Sequence, residues 1–339
     1  MKTNGFVMVM SSIALTACTA GCNWIPEEEN AKIIFKVVGT KGAEVKIDDF
    51  TLKVSSDDKT YYDGRFADRP QEMIVPAGDY SAKLISGEFD TPRFDAPQFG
   101  DSLRFTLEAG QTSTVTLNCT LLNAGLKISV TNNFKAVYPV GPLIVHQEGT
   151  SIEYTYGCDK TAYFHQGDAF ISCGGEIIAA VPLRNGVVTA LELDAEKKGS
   201  TVAFLVNVGQ AVIEEKTSIA VDSLPLLSVA QAKRLPTADS LKACVMGYII
   251  GGVKNSKVVR AGSADYSISS NILLADNPSD STLAVCLPVE LKTQALQNAL
   301  SLTSNPSLAG CRVHVQGTVL TYFSTAGLKA VCDYTVNSQ

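Results

Sequence analysis

Three cations within seven residues, Lys254, Lys257 and Arg260, and one aromatic pair, Tyr322 and Phe323, are the side chains whose types suggest binding chemistry. Cations along a groove, with aromatic faces on which bases or sugar rings stack, are what single-stranded nucleic acid or oligosaccharide binding needs. Charge weakens the first choice. The chain carries a formal net charge of -6, and even from Ser228 to the C-terminus nine Lys/Arg stand against only six Asp/Glu. A field that small gives little counterion release on a polyanion, so nucleic acid is disfavoured as a partner. The one tryptophan, Trp24, lies near the N-terminus, which leaves any sugar platform to Tyr and Phe. A glycan or another protein is the expected partner.

Reaction chemistry is harder to find. The only histidines are His146, His165 and His314, and the chain holds no HExxH, GxSxG, Walker A or strand-borne GxGxxG motif. His314 alternates with Val313 and Val315 and is expected on the solvent side of a strand. None of the nine cysteines forms a CxxC pair, so neither a metal nor a cofactor is expected. Cys158 and Cys173 flank a Gly-rich aromatic stretch and are expected as a disulfide in an oxidising compartment. The four cysteines after residue 240 lie in apolar strands and read as small buried thiols. A non-enzymatic protein follows.

The elements that position these side chains are short strands broken by turns. At 339 residues, 45% hydrophobic and 18% charged, the chain is long enough for two or three domains. Residues 31–122 alternate with period 2 between turn signals, with a hairpin expected from Glu44 to Val54 around Asp48-Asp49. Residues 123–222 repeat the pattern from Leu126-Lys127-Ile128-Ser129-Val130 to the apolar run Thr201–Val208. Ser228-Val229-Ala230-Gln231 has capping-box form, so a short helix is expected up to Leu235, with Pro236 ending it. Strands are then expected at Leu241–Ile250 with a bend at Gly247, at Tyr266–Ala275 and at Leu283–Val289. A helix at Lys292–Leu300 and strands at Arg312–Phe323 and Leu328–Val336 follow. Three strands, a helix and two strands is the order of an OB barrel. Lys254, Lys257 and Arg260 fall in the loop after its first strand, and Tyr322 and Phe323 open the loop after its fourth. The expected fold is all-β: two tandem β-sandwich domains of immunoglobulin- or transthyretin-like type, then a five-stranded OB-like barrel with short helices over 228–339.

The N-terminus carries an address. Lys2 followed by the apolar stretch Phe6–Leu15 is too short to cross a bilayer and suits a signal peptide over residues 1–17. Leu15-Thr16-Ala17-Cys18 resembles the lipobox of bacterial lipoproteins, which implies acylation of Cys18, with Cys22 as the alternative. The acidic tether of residues 18–30, with Glu27-Glu28-Glu29, resembles the surface-export signal of lipoproteins in the Bacteroidota. Val75–Tyr80, Val115–Leu126 and Ala162-Tyr163-Phe164 resemble an uncharacterised N-terminal domain of lipoproteins from gut Bacteroidota, and the layout is distantly similar to fimbrillins. Gly247–Gly251, Ser270–Asp276, Asn305–Gly310 and Gly317–Phe323 with Gly327-Leu328-Lys329 resemble a second uncharacterised Bacteroidota family with an OB-like module. These resemblances imply a lipid-anchored outer-membrane protein, exposed at the cell surface, that binds or adheres. Its membrane partner is met through the N-terminal lipid and its other partner is a glycan or a surface protein. The alternatives are a fimbria-like structural subunit or anchor, and an accessory oligosaccharide- or nucleic-acid-binding protein acting through the barrel.

Overall fold

The computed structural model describes residues 29–39, 46–198, 201–210, 213–221, 224–264 and 266–337, and the chain is all-β. The first strands are β1 (Asn30–Val38), β2 (Thr51–Ser55), β3 (Thr60–Arg65), β4 (Met73–Pro76), β5 (Gly78–Ile85), β6 (Arg93–Phe94), β7 (Phe99–Leu107), β8 (Thr112–Asn118) and β9 (Thr120–Leu121). Alternation along β1 turns Ala31, Ile33 and Phe35 inward and Lys32 and Lys36 outward, as period 2 requires. A three-stranded sheet, β4-β1-β8, faces a five-stranded one, β3-β2-β5-β7-β9. Between them lies a core that includes Ile33, Leu52, Val54, Leu84 and Leu117. The hairpin expected around Asp48-Asp49 is replaced by a single 3-10 turn at Ile47–Asp49, and β2 pairs instead with β3 and β5. Aspartates favour both kinds of turn, so local sequence does not separate them.

The next elements are β10 (Ala124–Val130), α1 (Asn132–Val137), β11 (Leu143–Gln147), β12 (Thr150–Tyr154), β13 (Ala162–Phe164) and β14 (Gly167–Cys173). After them come β15 (Glu176–Leu183), β16 (Val188–Lys198), β17 (Thr201–Gln210) and β18 (Ile213–Val221). Strand β10 runs parallel to β16 and antiparallel to β13, and the order of that sheet is β18-β17-β16-β10-β13-β6. Leu126, Phe134, Val145, Phe164, Ile171 and Leu191 fill a second core, where the Tyr154 hydroxyl donates to the Leu126 carbonyl at 2.7 Å. Strand β6 belongs to the first stretch of sequence but pairs with β13, which ties the first core to the second. Asn123 strengthens the same junction by accepting from the Gln98 amide and donating to the Ala96 carbonyl, each at 3.0 Å.

A third core forms from β19 (Leu226–Ser228), α2 (Val229–Lys233), β20 (Lys242–Lys254), β21 (Lys257–Arg260), β22 (Asn271–Ala275), β23 (Leu287–Glu290), α3 (Gln294–Leu300), β24 (Arg312–Tyr322) and β25 (Thr325–Asn337). Strands β20, β22, β23, β25 and β24 pair in that order, and β24 pairs again with β20, so the five close into a barrel. The contact of Val289 with Leu328 is parallel, as the third-to-fifth strand contact of this topology must be. The bend expected at Gly247 falls at Gly251, where the pairing with β22 slips and φ is +157°. A Cβ there would lie 2.1 Å from the Val259 carbonyl oxygen, so only glycine fits. The second and third barrel strands are shorter than expected, because Tyr266–Ser270 and Leu283–Cys286 are irregular. The barrel joins the middle core through the single parallel pair Glu176–Lys242, and through Phe170 and Ile177, which are buried among barrel residues.

Candidate functional site

The cationic loop is a hairpin. Lys254 and Lys257 face each other across the two-residue turn Asn255-Ser256, whose φ values of 52° and 58° match the twist of the strands it joins. Both lysines are exposed. Arg260 is exposed as well, and its guanidinium reaches across the surface to donate to the carbonyls of Asp280 at 2.5 Å and Pro278 at 2.7 Å. It therefore ties the β20–β21 hairpin to the β22–β23 connection with two of its five donors.

The aromatic pair forms a second tight turn, with Phe323 at φ 52° and Ser324 at φ 60° between β24 and β25. Phe323 packs against a small apolar cluster of Ile250, Val253, Leu273, Ala275 and Cys286, as does Val258 from β21. The ring of Tyr322 lies 4.2 Å from that of Phe323, and Lys329, paired with Glu290 at 3.7 Å, covers it at 5.3 Å. Burial raises the Tyr322 hydroxyl above its ordinary pKa. The structure thus brings Arg260 and Phe323 to the rim of one apolar cluster and leaves Lys254 and Lys257 at the hairpin tip. That cluster covers the outside of β22, all five of whose residues are buried. An OB barrel reads ligands with the face of its second and third strands, and here Val253 and Val258 of the hairpin, with Phe323, cover the part of that face formed by β22.

Arg260 and the two lysines are therefore expected to separate in a stability measurement. Lys254→Glu with Lys257→Glu should change the unfolding free energy by less than about 0.5 kcal/mol, because exposed tips rarely contribute more. Arg260→Ala should cost about 1 kcal/mol, since the two charge-assisted bonds it loses are exposed and water replaces much of each. Equal effects in urea titrations would refute this division of roles.

Sequence spacing did not reveal a buried polar cluster between the middle sheet and the barrel. His146 on β11 lies beside Ser172 on β14, with Nε2 2.8 Å from the hydroxyl, and its Nδ1 is 3.6 Å from an Asp239 carboxylate oxygen. Serine, histidine and aspartate in this order are the members of a hydrolytic triad. Ser172, however, is 2% exposed in mid-strand, so no substrate reaches its oxygen. The cluster instead pins the turn that leads into the barrel against the middle sheet. Around it, Asp168 receives Gln231 at 3.3 Å and Arg234 at 3.2 Å, and Glu176 pairs with Lys242 at 3.2 Å.

Burial lowers the His146 pKa below its ordinary value, opposed in smaller measure by Asp239. The native state therefore holds a neutral imidazole. As pH falls through the ordinary value near 6.5, the unfolded chain binds a proton first, and stability drops until the native pKa is passed. Urea midpoints of the wild type should fall between pH 7.5 and pH 5.5 by more than those of His146→Gln. A variant with an unchanged slope would remove His146 from this role.

The disulfide expected between Cys158 and Cys173 is absent, and both are free thiols. Cys173 points into the middle core, where its sulfur lies 3.6 Å from the Tyr156 hydroxyl, and burial raises its pKa. His314 is half-buried on the outer barrel face, 3.2 Å from the Asn337 amide. Cys18 and Cys22 lie outside the described residues. Among the described residues no group of three His, Cys, Asp or Glu is placed to hold a metal ion, and no helix is long and apolar enough to cross a membrane.

Residues 27–176 match the family model described as a domain of unknown function (DUF4493), and residues 227–337 match that of a second domain of unknown function (DUF6359). A stretch of 93 residues, 26% of the chain, is 34% identical to the endonuclease YhcR of Bacillus subtilis, and it spans 7% of that protein's length. Among solved structures, a fimbrial assembly protein from Parabacteroides distasonis aligns over 56% of this chain and 98% of its own, at 10% identity and a TM-score of 0.35. A candidate adhesin from Bacteroides ovatus aligns over 56% and 95%, at 8% identity and a TM-score of 0.36. Candidate polysaccharide binding proteins from Bacteroides thetaiotaomicron align over 74% and 96%, at 10% identity and a TM-score of 0.26. The chain is thus similar, in two separate stretches, to two families of unknown function.

Proposed function

We propose that this chain is a lipid-anchored adhesion protein of the cell surface, which binds its partner without catalysing a reaction. The observation that carries the reading is the way the three cores are joined. Strand β6 crosses from the first to the second, and the Glu176–Lys242 pair joins the second to the third, with Asp168–Arg234 and His146–Asp239 beside it. Backbone pairing at each junction passes a pull from one core to the next. An adhesive strut anchored at one end needs that property, whereas an enzyme gains nothing from it. The test is attachment of cells carrying the chain, compared with cells lacking it, to mucin-coated and protein-coated surfaces under flow. Carriers should be retained severalfold better. Equal retention would overturn the reading, and ladders on unheated gels would mark a polymerising subunit instead.

A further inference from the structure

A cavity of about 350 Å³ opens on the outer face of the five-stranded sheet of the first core, walled by Ser55, Ser56 and Asp57 where β2 ends and by Asp79, Ser81, Arg104 and Thr106 on β5 and β7, with Tyr80 and Phe105 of the same two strands also in its lining. The register places Ser55 beside Ser81, Ser81 beside Arg104, and Asp79 beside Thr106, so these groups stand on one face of three adjacent strands. Tyr80, between Asp79 and Ser81, is 4% exposed and packs its ring into the core, stacked 6.0 Å from Phe105, so these two residues form the base of the cavity. The backbone under the cavity is therefore fixed by packing below it. Thr106 donates to Asp79 at 2.6 Å, and the Ser55 and Ser81 hydroxyls meet at 3.1 Å. The side chains of Asp57 and Arg104 have no hydrogen-bond or ion-pair partner among the described residues.

This donor set selects a ligand class. A carboxylate accepts from two neighbouring hydroxyls, a guanidinium offers five donors in a plane, and serine and threonine hydroxyls both donate and accept. Two carboxylates against one guanidinium make the cavity net negative, which repels phosphates, nucleic acid and acidic sugars. Walls that are mainly hydroxyl and charge do not suit a lipid chain. A compact ligand dense in neutral hydroxyls matches each wall.

We propose that this cavity binds a neutral saccharide of one or two sugar units. The proposal rests on the adhesive reading above and names its ligand. The Ala77 amide donates to the Glu29 carbonyl at 2.9 Å, so Asp79 lies two residues from the point where the chain enters the first core. The same sugar chemistry is available from the bacterium's own envelope polysaccharide and from an external glycan, and the two sources are separable by experiment.

The test uses the full chain, purified in detergent, on an array of neutral and acidic di- and trisaccharides, followed by titration of the best neutral binder. Arg104→Ala and Ser81→Trp should each weaken that binding at least tenfold with the melting temperature unchanged, and Lys254→Glu with Lys257→Glu should leave it intact. Binding that survives both cavity variants, or that prefers acidic sugars, would overturn the site while leaving adhesion standing. Failure of attachment under flow with array binding intact and sensitive to Arg104→Ala would overturn adhesion and keep the site. No binding to any neutral saccharide overturns the proposal. Inhibition of attachment by the bacterium's own purified polysaccharide or by mucin oligosaccharides identifies the source.

Discussion

Lys233→Ala is expected to destabilise the barrel by about 3 kcal/mol. The Lys233 ammonium donates all three protons: to the Leu283 carbonyl at 2.8 Å, the Cys286 carbonyl at 2.9 Å and the Thr325 hydroxyl at 2.9 Å. No carboxylate pairs with it among the described residues, and burial lowers its pKa. Hydrogen bonds from a charged group contribute about 1.5–3 kcal/mol each, and a buried acceptor left bare costs about 1–3 kcal/mol. The desolvation of the ammonium offsets part of that sum. Lys233 also works with Asp276, whose two carboxylate oxygens accept from the Val229 and Ala230 amides at 2.8 Å each. Helix α2 is thus held at its start by Asp276 and at its end through Lys233, both ties leading to the segment between β22 and β23. Lys233→Met keeps the stem and loses the donors, so it should recover only a minor part of the loss. A melting temperature within about 1 °C of wild type for both variants, where 1 kcal/mol is worth about 2–4 °C, would show that these bonds contribute nothing net.

Cys18→Ala is expected to release the protein from the membrane entirely. An acyl chain contributes about 0.8 kcal/mol per buried CH2, and one chain holds a protein only marginally while two or more hold it stably. No other described segment is long and apolar enough, as a helix, to replace that anchor. Labelling cells with a fatty acid and separating membrane from soluble fractions checks this. Wild type should carry label and sediment with the membrane, and Cys18→Ala should do neither. If Cys18→Ala keeps its label and Cys22→Ala loses it, the acylated residue is Cys22.

The sequence by itself determined the features whose causes lie within a few residues. The capping box of α2 forms as its four residues imply, with Ser228 accepting from the Gln231 amide and Gln231 reaching back to the Ser228 amide. Both bonds span three positions, so spacing alone specifies them. Alternation placed Val313 and Val315 inside the barrel, and the order of three strands, helix and two strands matches the closed pairing. What only the tertiary structure decided is where polar side chains finish. Arg260 looks like a ligand donor until the carbonyls of Pro278 and Asp280, some twenty residues on, come within reach. His146 meets Asp239 across an even wider gap in sequence, and the cavity on the first core's larger sheet gathers Asp57 from the turn after β2, Asp79 from β5 and Arg104 from β7. Hydrophobic period reports which face of an element is buried, because burial is a property of each residue against one solvent boundary. Hydrogen-bond partners across distant strands depend on register and on the path of connections, and these are fixed only when the sheets pack.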